Sequence, residues 1–166
     1  MSQAYYRAVF PENGKCECGL LTPHQTDVER VKVYEDGLAE VVYWSPLVNE
    51  PPVFYRSTEK VLCFSKTPGG AIIGSVTGER AFIGGDRCIC ETHGKPDIDI
   101  SHVTVGDFEV LEEVRFKRPV KTKALGMFSV DQKMLKEIEA AYDTEYGFPN
   151  IPKLLKIRRT INRKLR

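Results

Sequence analysis

Ten prolines and thirteen glycines punctuate the 166-residue chain, and they leave most intervening segments only about five to eight residues long, which is strand length. Residues 5–10 read as a first strand, stopped by Pro11-Glu12-Asn13-Gly14, where Asn-Gly is a strong turn dipeptide. Residues 28–44 read as a hairpin folded about Asp36-Gly37. The apolar run 60–65, the break Thr67-Pro68-Gly69-Gly70 and the run 71–77 predict a second hairpin. Residues 87–92 follow as another strand. In 106–116 the residues Phe108, Val110, Val114 and Phe116 keep period two across an interruption at Glu112, as a bulged strand would.

Helical signals come only at the end. Ser129 and Gln132 form a capping-box pattern ahead of Val130, Met134, Ile138 and Tyr142, and Gly147 with Pro149 closes that segment. A last helix starts near Ile151 with Pro152 in its first turn and carries Leu154, Ile161 and Leu165 as one stripe. Strands followed by helices predict an α+β fold, a small β-rich, partly closed barrel over residues 1–128 with a helical appendage over 129–166. Trp44 and Phe116 are expected in the core. No apolar run approaches the ~20 residues of a membrane-spanning helix. The N-terminus shows no basic segment leading into a long apolar one, so a cytoplasmic location without membrane contact is expected.

Five cysteines in such a setting predict reduced thiols, buried as small hydrophobes. The alternative is a zinc site built from Cys16, Cys18, Cys88 and Cys90, although a Cys-x-Cys pair on a regular strand lacks the turn that wraps both thiols around one ion. Cys63, inside an apolar run, is core in either case. No phosphate-binding glycine loop and no nucleophile elbow is present.

The formal charge of +1 conceals a polarity along the chain. Up to Val114 there are ten basic and eighteen acidic residues; from Arg115 to Lys123 five cations occur without an acid, and from Lys153 to Arg166 seven do. Clustered cations suit a polyanion. Aromatic residues stand beside cations at Tyr6-Arg7, at Tyr55-Arg56 and at Phe116-Lys117, and Tyr43 with Trp44 adds a stacking surface, a combination that holds unpaired bases and their phosphates. The expectation is a nucleic-acid-binding module, RNA before DNA, and not an enzyme, needing no cofactor. Its contacts would be Tyr43, Tyr55, Arg56, Lys66, Lys117, Arg118, Lys121, Lys123, Arg158, Arg159 and Arg163. A third possibility is an interaction protein whose apolar C-terminal stripe packs on a partner or a second copy.

Two family resemblances accompany these readings. The run Val61-Leu62-Cys63-Phe64-Ser65-Lys66, then Gly70-Ala71-Ile72-Ile73-Gly74-Ser75-Val76, then Lys117-Arg118-Pro119-Val120, resembles the PUA-like superfamily in its ASCH and EVE branches. That likeness implies a pseudo-barrel that binds RNA or modified nucleic acid in a cleft. Tyr6-Arg7, Phe64-Ser65-Lys66-Thr67 and Asp107-Phe108-Glu109-Val110-Leu111 are similar to the Arg, Ser-Thr and Glu-x-Glu-Val-Leu elements of arginine-type ADP-ribosyltransferases. This second likeness implies that Arg7 and Ser65 hold NAD and that Glu109 stabilises the oxocarbenium forming at the nicotinamide ribose.

Overall fold

A computed structural model describes residues 3–33, 39–42, 53–78, 81–99, 110–144 and 149–165, with backbone alone for 25–33, 39–42 and 53–59. The strands are β1 (Tyr5–Val9), β2 (Leu20–Leu21), β3 (Gln25–Val33), β4 (Ala39–Val42), β5 (Val53–Ser65), β6 (Gly85–Thr92), β7 (Ile98–Asp99), β8 (Glu113–Phe116), β9 (Val120–Lys121) and β10 (Lys123–Val130). The helices are α1 (Pro68–Thr77), α2 (Gln132–Tyr142) and α3 (Ile151–Lys164). The main sheet runs β10-β6-β1-β5-β3-β4, with β8 also on β5 and β7 on β8. Among the described residues its pairings are antiparallel, and β2 with β9 forms a separate small sheet.

Alternation along the strands separates two apolar clusters. Tyr6 and Ala8 pack with Ile72, Ile73, Val76, Ile89, Met134, Ile138, Leu154 and Ile161, so α1, α2 and α3 share one core with the sheet. Tyr5, with Leu62, Phe64, Val114, Phe116 and Val120, forms the second cluster. Phe116 is fully buried there, as its sequence context predicts, edge-on to Phe64 and Tyr5. Trp44 lies outside the described residues.

Four expectations change. Residues 71–77 are not the return strand of a hairpin: Thr67 caps a helix by accepting from the Gly70 N–H, and Pro68 opens it. The capping box at Ser129 is not used, because Ser129 still pairs with Asp86 in β10; Asp131 caps α2 through the Met134 N–H at 2.8 Å. The C-terminal stripe does not face a partner, since Leu154 and Ile161 are fully buried within the chain. Four of the five cysteines are not reduced thiols, and Cys63, expected in the core, lies outside the disulfides and is only partly buried. Cys16 is bonded to Cys88 and Cys18 to Cys90, so a zinc site of those four residues is not formed. Two Cys-x-Cys pairs at equal spacing, one on β6 and one in the loop after β1, meet as two side-by-side bridges.

The least expected core residue is Arg87, fully buried at the start of β6. Its guanidinium donates to the Ser75 hydroxyl at 3.0 Å and to the carbonyls of Gly84, Gly85 and Ile83, and it stacks on Phe10. Burial pushes this group below its usual arginine range, and Asp86 opposes the shift. Arg87→Met leaves those acceptors without a donor and is expected to cost about 3 kcal/mol, read as a lowered denaturant midpoint.

Candidate functional site

Strand β1 pairs with β6 at five positions but with β5 at one, Tyr6 opposite Ser65. Arg7 follows that pair, its Nη1 donating to the Cys63 carbonyl at 2.8 Å. Its Nη2 lies 3.4 Å from His24 Nε2, and His24 Nδ1 lies 3.1 Å from the Thr22 carbonyl. Arginine has no acceptor, so Nε2 accepts and Nδ1–H donates. Burial lowers the Arg7 pKa from its ordinary value, while Cys63 and Glu113 act in the opposite direction. Glu113 is therefore within electrostatic reach of Arg7.

Strand β8 lies on the other side of β5, and its register sets Glu113 opposite Ser65 and Arg115 opposite Cys63. Arg115 donates Nε to Glu113 Oε2 at 2.8 Å, and its Nη2 lies 2.8 Å from the same oxygen, which fixes the carboxylate's orientation. Ser65, 3% exposed, donates to the Leu111 carbonyl and accepts from the Thr67 N–H. Its hydroxyl thus ties the end of β5 to the segment leading into Glu113. Glu112 takes up a left-handed conformation with φ 51°, which few non-glycine residues adopt, and its carboxylate accepts from Thr67 Oγ1 at 2.6 Å. Arg7, Ser65 and Glu113 consequently sit on three adjacent strands, in the order β1, β5, β8. Glu109 lies outside the described residues.

The disulfides border this site. Alternation puts Tyr5, Arg7 and Val9 on one face of β1, and their partners on β6 are Thr92, Cys90 and Cys88. The Cys18–Cys90 bridge is therefore beside Arg7, and the loop it anchors continues through β2 to His24. Hydrogen bonds between Gly19 and Thr122 hold that loop from its other side.

The residues expected to contact nucleic acid are dispersed. Tyr43 lies outside the described residues, as do the side chains of Tyr55 and Arg56, whose backbones pair with Arg30 and Glu29. Lys66 is 3.0 Å from Asp99, and Arg118 is held by Asp97 at 3.0 Å and by the Lys95 carbonyl. Arg158 turns inward, 3.4 Å from Glu112. Lys117, Lys121 and Lys123 are exposed, with Lys123 opposite Glu91 in the ladder. Arg118 and Lys121 line a shallow hollow with His93, Thr92 and Phe116. Arg159 and Arg163 are exposed on the outer face of α3.

Glu113 and His24 were not singled out by sequence pattern. Glu113 is one of several acids in a short stretch, and only the β5–β8 register distinguishes it. No local signal marks His24, which reaches Arg7 through the disulfide-anchored loop. Comparison with family models, with curated proteins and with solved structures returns no match for this chain.

Proposed function

We propose that the chain is an NAD-dependent ADP-ribosyltransferase with Arg7 and Glu113 at its reacting centre. The observation that carries this reading is that Arg7, rooted on the Tyr5 face of β1, reaches the Cys63 carbonyl of β5 and lies within electrostatic reach of Glu113, which stands with Ser65 on the Tyr6 face of the next strands. These are the three residue types of the transferase resemblance in the same chain order, with the acid at 113 in place of 109. A half-buried guanidinium is suited to the diphosphate, since it stays charged and donates in a fixed fork. A carboxylate is suited to the nicotinamide ribose. When the bond between C1′ and the nicotinamide nitrogen breaks, its electron pair passes to the ring nitrogen, nicotinamide leaves neutral, and positive charge develops on the ribose. Glu113 stabilises that charge until water or an acceptor nucleophile bonds to C1′. Ser65, buried and bonded to Leu111, serves as a strut for the Glu113 strand and not as an NAD contact.

Calorimetric titration with NAD tests the binding half of this reading. Arg7→Gln is expected to weaken binding by about tenfold to a hundredfold, the worth of a lost charged hydrogen bond. Equal affinity in both proteins would remove Arg7 from the site.

Nucleic-acid binding is the second reading, favoured by the exposed Lys121 and Arg118 lining the hollow beside Phe116, with the exposed Lys117 next in the chain to both Phe116 and Arg118. Under it, affinity for single-stranded RNA falls steeply with salt, and Lys117→Ala with Lys121→Ala reduces that salt slope by about 2.

A further inference from the structure

We infer that Arg158, on the basic C-terminal helix, is a positioning residue for Glu113 acting through Glu112, an inference that rests on the transferase reading. Seven basic and no acidic residues in the last fourteen suggest a solvent-facing polyanion surface. Arg158 does not join one. Its Nη1 donates to the Val110 carbonyl at 3.2 Å and lies 3.4 Å from Glu112 Oε1, so it grips the chain one and three residues before Glu113.

Further contacts make this corner stiff. One helical turn after Arg158, Asn162 Oδ1 accepts from the Gly69 N–H at 2.6 Å. A Cβ at Gly69 would lie 2.5 Å from the Arg158 carbonyl oxygen, so α3 is seated directly on the start of α1. Thr67, the α1 cap, donates to the second oxygen of Glu112, and the Lys66 N–H donates to the Glu112 carbonyl at 3.2 Å. Glu112 is thus held from β5, α1 and α3 in a backbone conformation that is unfavourable for its side-chain type. The next residue is Glu113. Its bearing depends on a left-handed turn that Arg158 and Thr67 maintain together.

Arg158 acts on the chain at Val110 and Glu112, ahead of Glu113, so its loss should disturb geometry and not NAD capture. The experiment measures nicotinamide release and NAD affinity for wild type, Arg158→Gln, Arg158→Lys, Glu112→Gln and the double variant Arg158→Gln/Glu112→Gln, with thermal midpoints recorded alongside. Arg158→Gln is expected to lower kcat by about tenfold to a hundredfold, as small misplacements of a reacting group do, and to change NAD affinity less than twofold. Glu112→Gln, the milder change, should lower kcat in the same sense, and the double variant should be no slower than the slower single one. Arg158→Lys keeps the charge without the fork and should recover part of the rate. Wild-type kcat in Arg158→Gln, or multiplicative losses in the double variant, overturns the inference while leaving the transferase reading intact. A wild-type chain that releases no nicotinamide overturns both.

Discussion

Removal of both disulfides is expected to destabilise the chain by about 6 kcal/mol, whereas removal of either one alone costs only about 2 kcal/mol. The two bridges have the same sequence separation, 72 residues, and lie two residues apart at each end. Closing one such loop from the unfolded chain is worth about 4 kcal/mol in chain entropy, but once it is closed the second bridge closes a ring of only a few residues, worth about 2 kcal/mol. Each bridge therefore insures the other. Guanidinium unfolding of Cys16→Ala/Cys88→Ala, of Cys18→Ala/Cys90→Ala and of the quadruple variant measures this directly. Single-bridge losses that sum to the quadruple loss would show that the bridges act independently. The effect reaches the candidate site, because the bridged loop brings His24 to Arg7 and the Cys18–Cys90 bond lies beside Arg7 in the ladder.

Glu113→Gln is expected to slow nicotinamide release by about a hundredfold to a thousandfold, the range for removing one preorganised electrostatic contact to a developing charge. The amide is isosteric, keeps an acceptor oxygen for Arg115 and stays opposite Ser65, so the fold and NAD affinity should be nearly unchanged. What disappears is the negative charge that the transferase reading sets against the ribose. The same substitution at Glu112 acts only through geometry and should be milder, which separates the two neighbouring acids. A Glu113→Gln variant that loses NAD affinity in proportion to rate would instead assign Glu113 to ground-state binding.

Local signals in the sequence were reliable where the structure is local. The first strand, the β3–β4 pairing expected around Asp36-Gly37, the strand through Cys88 and Cys90 and the last helix all stand where punctuation and period predict them. Errors arose where a residue answers to something distant. Gly69 and Gly70 look like a turn, but they are small because α3 and the Ser65–Leu111 contact press on the start of α1. Ser129 and Gln132 form a capping box that β10 pre-empts by extending to Val130. The cysteine pairing joins segments 72 residues apart, and spacing within each pair could not express it. The break in the period-two pattern at Glu112 was visible, and it is the site of the left-handed residue. Arg7 and Ser65 were legible as candidates from their neighbours in sequence. Glu113 was not, because only the register between β5 and β8 sets it opposite Ser65, while Glu109 lies outside the described residues.

The most direct test of the account is the initial rate of nicotinamide release from NAD by the oxidised, disulfide-bonded chain. Sustained release by wild type, reduced at least a hundredfold in Glu113→Gln, is the predicted result. No release from a folded chain that binds single-stranded RNA in a salt-sensitive manner would contradict it and favour the nucleic-acid reading.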